Sequence, residues 1–515
     1  MLNCRIDVRR SPIAVGTSSH RRSVPTGLTL IEMLVALAIT LIMMAAVVNL
    51  FASIGSSVRS RRATMEMGSQ LRLVRQQLFT DLAGATCSTL TWQRPENNLG
   101  YIEIVGGEYS DHNPTGITIA STVSQVPSSN LPLPTGDITD GKALGDYDDM
   151  LALTVRGGNG AFRGQGRVIN PATTTWIDGV IESSLAEVVW YAVENPDTGS
   201  LGEPGMRTVY RRVLLIAPWV DLSGIAPSGA TPVEQLRNYY ADYDISVRIE
   251  GGEFVPNTLG DLTKRENRFG HDPTTFPHLI NQSYIRFATA GGNGPLHPLG
   301  PEFLASTAER EGEDLMLSDV LAFDVRLFEP GAPLVAISGT VLEPSDEGWF
   351  EPKAVGEIVG FGAYVDLGWA PNYPDPADPT FPPSVPKVYF QTQHRAGWHP
   401  SDTAGFVGFP TVYDTWSFHY ENDGLDQDSA SDNGAGIDQG TNGLDDLVPY
   451  DLDDDPTTPP TLPPSAINGV DDIGERETSP PYDVALRGIQ VKLRVYERDS
   501  RHIREATVTR NFVPQ

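Results

Sequence analysis

The stretch of sequence that decides the fold runs from Gly27 to Ala52 and reads GLTLIEMLVALAITLIMMAAVVNLFA. Its last twenty residues, Met33 to Ala52, carry no charged side chain. At about 1.5 Å per residue, a helix of that length covers about 30 Å, which is the thickness of the hydrocarbon core of a bilayer. The stretch therefore predicts a single membrane-spanning helix near the start of the chain, over about residues 33–52.

The charges that precede this helix predict its orientation. Before it the chain carries one aspartate, Asp7, and the five arginines Arg5, Arg9, Arg10, Arg21 and Arg22. Because cytoplasmic flanks of membrane helices are rich in Lys and Arg, we expect the N-terminus in the cytoplasm and the rest of the chain outside. A twin-arginine export signal is an alternative for Arg21-Arg22, but it explains neither Glu32 nor the length of the apolar run.

The six residues Gly27-Leu28-Thr29-Leu30-Ile31-Glu32 resemble the processing motif of type IV prepilins and pseudopilins. In that family a membrane peptidase, prepilin peptidase, cleaves after the glycine and methylates the new amino terminus. The resemblance implies cleavage between Gly27 and Leu28, so that Glu32 becomes the fifth residue of the mature chain. It also implies a bacterial inner-membrane protein with a single span and a periplasmic or extracellular head.

Glu32 is an ionisable group at the head of a membrane helix, which is costly unless the group is paired. The resemblance implies that its carboxylate pairs with the free amine of Leu28 in a neighbouring pilin or pseudopilin, which offsets the desolvation cost and sets the stagger of a filament. The alternative is an ordinary membrane anchor with one glutamate near its cytoplasmic edge.

A second apolar pattern predicts that the helix continues to about Ala83 and ends at Gly84. Five apolar residues spaced by three or four positions form one helical face: Met67, Leu71, Val74, Leu78 and Leu82. Much of the remaining surface is basic, with Arg59, Arg61, Arg62, Arg72 and Arg75. In the family that the chain resembles, this half of the helix is the spine on which a β-sheet folds.

After Gly84 the pattern changes to short strands with alternating or apolar sequences. The predicted strands are 101–105, 150–155, 186–193, 207–216, 320–328, 489–495 and about 506–512. We therefore predict an α+β fold, in which a long N-terminal membrane-spanning helix packs on an antiparallel β-sheet that a second β-rich region and long loops enlarge.

The predicted organisation has six parts: a leader peptide (1–27), the N-terminal helix (28–83), a pilin-like β domain (84–250), a β-rich insertion (251–420), an acidic Asp/Gly/Pro loop (421–481) and a C-terminal β-hairpin (482–515). The chain left after cleavage is far longer than an ordinary pilin, and Cys87 is its single cysteine. These departures argue against a repeating filament subunit.

A short unit of the form Asx-Gly-apolar-Asp recurs in the acidic loop. Its glycine permits a sharp turn and its carboxylates can converge, as calcium loops require. The candidate calcium ligands are Asp423, Asp426, Asp428, Asp445, Asp446, Asp471 and Asp472. The spacing is not that of an EF-hand, and a solvated acidic loop without metal is the alternative.

Composition excludes several classes of function. The net charge of −29 argues against nucleic acid as a partner, because binding to phosphates needs clustered Lys and Arg. The nine histidines are scattered, and neither a G-x-S-x-G nor a Walker A sequence is present. The resemblance of Gly27–Glu32 implies a minor pilin or pseudopilin of type II secretion or type IV pilus assembly, and we do not expect an enzyme. The alternative is a membrane-tethered binding module or enzyme that uses a prepilin leader for delivery.

Overall fold

The computed structural model describes a long helix and a large sheet. It covers residues 29–87, 95–106, 149–158, 160–195, 206–274, 278, 313–337, 339–344, 357–367, 411–415, 486–497 and 502–512. The chain forms two units, Met1–Arg61 and Arg62–Gln515.

Helix α1 spans Leu30–Ala83, which confirms the prediction of one long N-terminal helix. The five apolar residues of the predicted stripe are all buried, with exposed fractions between 0% and 6%. At the end of α1, the Gly84 amide donates to the carbonyl of Thr80 at 3.0 Å. A Cβ on Gly84 would lie 2.6 Å from the carbonyl oxygen of Arg156, so the close approach of helix and strand requires glycine here.

Fourteen strands follow α1 among the described residues. They are β1 (Ile102–Gly106), β2 (Met150–Arg156), β3 (Phe162–Ile169), β4 (Trp176–Ser183), β5 (Leu185–Glu194), β6 (Arg207–Leu215), β7 (Val247–Glu250), β8 (Glu253–Pro256), β9 (Leu315–Ile337), β10 (Thr340–Leu342), β11 (Glu357–Val365), β12 (Thr411–Asp414), β13 (Gly488–Glu497) and β14 (His502–Asn511). A second helix, α2 (Pro232–Asp242), lies between β6 and β7, and 3₁₀ turns occupy Pro95–Asn97, Asp261–Thr263 and Arg265–Asn267.

Ten of these strands form one antiparallel sheet. Its main path is β12-β1-β2-β5-β6-β9-β13-β14, and β10 and β11 pair with β9. The remaining strands form the ribbons β3–β4 and β7–β8. The α+β prediction and the predicted C-terminal hairpin are therefore confirmed, with Gly488 opposite Asn511 and Glu497 opposite His502.

Strand β9 is the longest strand and lies in the middle of the sheet. Its first half pairs with β6 on one side, and residues Val320 to Leu327 pair with β13 on the other. The segment predicted as a β-rich insertion thus supplies a strand to the same sheet as the segment predicted as the pilin-like β domain.

The sheet is covered on both faces within the second unit. One face packs against the buried stripe of α1, and Trp190 belongs to this core. The opposite face packs against α2 and the segment around Ile245 to Phe269, and Tyr191 belongs to that core. Because successive side chains of a strand point to opposite faces, β5 is apolar at nearly every position.

Candidate functional site

The N-terminus of α1 is closed by a hydrogen-bonded cap between Thr29 and Glu32. The Thr29 amide and hydroxyl donate to Glu32 Oε2 at 2.8 Å and 3.0 Å, and the Glu32 amide donates to Thr29 Oγ1 at 3.3 Å. This is a capping box, in which a threonine before the helix and a glutamate three residues later satisfy each other's amides. Both of the bonds that the carboxylate accepts go to Oε2, so Oε1 is left for another donor.

The two residues of the predicted cleavage point, Gly27 and Leu28, lie outside the described residues. The structure places Glu32 in the first turn of α1. Cleavage after Gly27 and the pairing of Glu32 with the amine of Leu28 stay predictions.

The first unit has apolar side chains on every side of its helix. Leu37, Ile39, Leu41 and Ile42 are between 51% and 69% exposed, although they point in different directions around the axis. The apolar window of this helix has a mean hydropathy of 2.6 and none of it is buried. A helix that is apolar all round requires lipid or other helices as its surroundings.

In the second unit, Asp81 joins the last turns of α1 to the sheet. Trp190 donates from Nε1 to Asp81 Oδ2 at 2.9 Å. Arg211 donates to the same carboxylate from Nε and Nη2 at 2.7 Å and 2.8 Å, and its guanidinium lies over the Trp190 ring, 5.8 Å from the centroid. A bidentate pair of this kind is directional as well as charged, so it sets the position of the helix on β5 and β6.

The predicted calcium ligands fall outside the described residues. This applies to all seven: Asp423, Asp426, Asp428, Asp445, Asp446, Asp471 and Asp472. Within the part of the chain that the structure describes, no group of three His, Cys, Asp or Glu side chains is arranged to hold a metal ion.

A buried charge network, which the sequence did not reveal, ties the 3₁₀ segment to the edge of the sheet. Arg268 Nη1 donates to Glu103 at 3.0 Å and to Asp414 at 2.8 Å. Arg265 Nε donates to Asp414 at 2.6 Å, and His271 Nε2 lies 3.0 Å from Glu103. Burial by itself raises the pKa of Glu103, but the neighbouring His271 and Arg268 outweigh it and hold the pKa well below its usual range.

Glu187 lies in the same interior and accepts three hydrogen bonds. The Tyr101 hydroxyl and the Phe269 amide donate to Oε1 at 2.7 Å and 3.0 Å, and the Ser246 hydroxyl donates to Oε2 at 2.6 Å. Burial raises the pKa of Glu187, because the low-dielectric interior disfavours its charged form. Since these groups are closed off from solvent, their role is to hold the segment between Ser246 and Phe269 on the sheet.

A cleft of about 990 Å³ opens beside β3, β4, β6 and the start of β9. Arg212 lies in its wall and is paired with Asp244 and Asp314 at 2.8 Å and 3.2 Å. Burial and a hydrogen bond to Asp178 raise the pKa of Tyr243, another lining residue, to about 12. The two buried glutamates, Glu103 and Glu187, do not line this cleft. The perturbed carboxyls and the cleft are therefore separate features.

The fold and the exposed apolar helix define a class: a membrane-anchored α+β protein with an N-terminal helix that also forms part of the core of its head. One comparison bears on the family. Residues 25–48 match the family model described as the prokaryotic N-terminal methylation motif. This match supports a type IV prepilin-like family for the chain and confirms the resemblance of Gly27–Glu32. The motif implies processing by prepilin peptidase and association with membrane pilin assemblies. No curated protein and no solved structure matches the chain.

Proposed function

We propose that the chain is a minor pilin or pseudopilin of a type II secretion or type IV pilus system, with an assembly role and not an enzymatic one. The observation that carries the proposal is the methylation motif at residues 25–48 on a helix whose apolar side chains are exposed all round. Such a helix can be stored in the inner membrane and then transferred into a bundle with other pilin helices, because both surroundings are apolar.

The cap at Thr29 supports the proposed pairing of Glu32 with a neighbouring subunit. The cap engages Oε2, so Oε1 is left to accept from the free amine of a second chain. Pairing of the two charges compensates the cost of placing each of them in apolar surroundings. The cap orients the carboxylate before the partner arrives, so less conformational freedom is lost on assembly.

Mass spectrometry of the mature N-terminus tests the processing step. In cells with prepilin peptidase we expect a chain that begins at N-methylated Leu28, and in cells without the enzyme we expect an intact Met1. A second measurement locates the head: protease added to spheroplasts of cells without the enzyme should digest the head while the uncleaved leader stays protected. An unprocessed chain in both strains, or cleavage after residue 52, would exclude the prepilin assignment.

Substitutions at the cap separate helix capping from subunit pairing. Glu32→Gln keeps a residue that can form the capping box but removes the charge, so we expect normal processing and a loss of incorporation into filaments. Thr29→Val removes the capping hydroxyl and keeps the carboxylate, so incorporation should fall much less than in Glu32→Gln. Glu66→Gln is the matched control, because Glu66 is an exposed glutamate on the same helix. Normal incorporation of Glu32→Gln would contradict the pairing.

The alternative is a tethered binding module or enzyme, and the cleft beside Arg212 is the observation that favours it. The two functions differ in their need for the N-terminal helix. Replacement of residues 1–52 by an unrelated single-pass anchor should abolish an assembly role, whereas a tethered module should keep its activity.

We also propose that the acidic loop, residues 421–481, binds calcium. The support is the threefold Asx-Gly-apolar-Asp unit in the sequence, whose carboxylates are the oxygen ligands that calcium prefers. Titration of the full chain with calcium should release heat and raise the unfolding temperature. The control is a variant in which Asp445 and Asp446 are changed to Asn, and equal responses of the two proteins would contradict the proposal.

A further inference from the structure

Three arginines follow the apolar part of α1 within one helical turn: Arg59, Arg61 and Arg62. We call them the basic collar. They are separated from Ala52 by residues 53–58, which are uncharged and rich in serine. The chain as a whole is strongly acidic, so a run of three arginines at this place calls for an explanation.

The collar is exposed and its charges are not used within the described part of the chain. All three side chains are exposed. No ion pair or hydrogen bond joins their guanidinium groups to another described residue. The nearest carboxylate on the helix, Glu66, follows Arg62 by four positions. Three unpaired arginines on one turn repel one another unless an anionic partner binds them.

The position of the collar matches the headgroup layer of a membrane. Arg59 to Arg62 follow Ala52 by seven to ten residues, which is about 10–15 Å of helix. Side chains on a helix lean toward its N-terminus, here toward the apolar stretch, and a long arginine side chain reaches further in that direction. The guanidinium group of Arg59 therefore reaches the layer of about 5–8 Å that headgroups add to each side of the hydrocarbon core, and those of Arg61 and Arg62 reach its outer edge.

The directions of the three side chains favour lipid over a single protein partner. At about 100° per residue, Arg59 and Arg62 lie about 60° apart on one side of the helix, and Arg61 points about 100–160° away from them, to another side. A protein surface can reach only one side of a helix, whereas lipids surround it. We propose that the basic collar binds anionic lipid headgroups in the leaflet on the head side of the membrane. This inference rests on the membrane anchorage in the proposed function.

The test measures lipid selectivity with the full chain reconstituted in phosphatidylcholine vesicles. Trace spin-labelled phosphatidylglycerol or phosphatidylcholine reports, by electron paramagnetic resonance, how strongly each lipid associates with the protein. We expect a several-fold preference for phosphatidylglycerol that weakens as salt is added. The triple variant Arg59→Gln/Arg61→Gln/Arg62→Gln should show a clearly weaker preference, and what remains is the contribution of the leader arginines. Leader arginines are common to all proteins compared, so the difference reports the collar alone.

Two further variants make the result decisive. Arg72→Gln/Arg75→Gln removes two exposed arginines ten or more residues further along α1 and should keep the preference. Replacement of the three collar arginines by lysine keeps the charge and should also keep the preference for phosphatidylglycerol. Equal selectivity in the wild type and the triple Gln variant, or no preference in the wild type, would overturn the collar proposal alone. Failure of the wild-type chain to float with the vesicles would overturn the membrane anchorage as well.

Discussion

The two halves of α1 are the same secondary structure built by two different patterns. Around Leu41 every side of the helix is apolar and exposed, whereas around Leu78 a single stripe is buried and most of the other residues are polar. In the second half the sheet supplies the apolar surroundings for one face, and water surrounds the rest. In the first half nothing in the described chain covers the helix, so its surroundings must be lipid or other helices.

A helix segment that packs on its own fold and one that packs on lipid or other chains therefore have different sequence patterns. A stripe spaced by three and four residues marks a helix that packs on its own fold. An uninterrupted apolar run marks a helix whose partners lie elsewhere. Four predictions test this contrast, beginning with the largest effect.

Asp81→Asn, in the second half of α1, should cause the largest loss of unfolding free energy. The substitution leaves the positive charge of Arg211, whose side chain is 13% exposed, without its carboxylate. Loss of one partner of a buried ion pair costs about 3–5 kcal/mol of unfolding free energy. The measurement is denaturant unfolding of the full chain in detergent. Arg163→Gln, at the exposed pair with Glu182, is the control and should cost at most about 1 kcal/mol.

A leucine-to-alanine substitution in each half of α1 tests directly which half packs on the head. Leu78→Ala removes a fully buried side chain from the core between α1 and the sheet, so the unfolding free energy of the head should fall by about 2–5 kcal/mol. Leu41→Ala removes a side chain that is 59% exposed, and the head should unfold at the same denaturant concentration as the wild type. A similar loss in both variants would mean that the first half also packs on the head.

The ionisable interior of the head predicts a pH dependence. Burial raises the pKa of Glu187 above the 4.5 expected in the unfolded chain. As the pH rises past that value, the unfolded state releases a proton that the native state keeps. The stability contributed by this group is therefore full below pH 4.5 and is lost toward the raised native pKa, by at most about 1.4 kcal/mol per pH unit.

Glu187→Gln should remove this contribution to the pH dependence of the unfolding free energy. Unfolding curves of the wild type and of Glu187→Gln, collected from pH 4.5 upward, give the difference between their unfolding free energies. This difference should shrink as the pH rises. Glu182→Gln, at an exposed position, is the control and should follow the wild type. A difference between wild type and Glu187→Gln that does not change with pH would show that Glu187 has no raised pKa.

The smallest effect concerns two helix N-caps, each a threonine with a glutamate three residues later. Thr231 caps α2, its hydroxyl accepting from the Glu234 amide at 3.2 Å, as Thr29 does for Glu32 at the start of α1. Thr231→Val should lower the unfolding free energy of the head by about 1 kcal/mol. Thr29→Val lies in the other unit and should leave that value unchanged, while hydrogen exchange at the first amides of α1 accelerates. Equal global effects would contradict the division into two units.

Much of this contrast was predictable, because it depends on neighbours along the chain. All five residues of the stripe from Met67 to Leu82 are buried, and the predicted strands around 186–193, 207–216 and 489–495 are present. Helical and strand periodicity are local properties, so a short window of sequence reveals them. The pairing of β5 with β6 and of β13 with β14 was predictable for the same reason, because each pair consists of strands that are consecutive in the chain.

What the sequence did not reveal depends on distant contacts. The place of β9 between β6 and β13 joins segments that lie far apart in the chain, and no local pattern encodes that order. The charge network was missed in the same way, since 165 positions separate Glu103 from Arg268. From sequence alone, a single charged residue in a strand is predicted to face solvent. It can be buried only next to a compensating charge, and the sequence does not show that partner.

The N-terminal motif, the apolar span, the helical stripe and the α+β class could be read from residue type and spacing, because these decide where a single segment is stable. Only the tertiary structure decided the order of the strands, the joint of Asp81 with Trp190 and Arg211, and the buried partners of Glu103 and Glu187. These features arise when residues far apart in the chain meet in a low-dielectric interior, where charges and hydrogen-bonding groups must find partners.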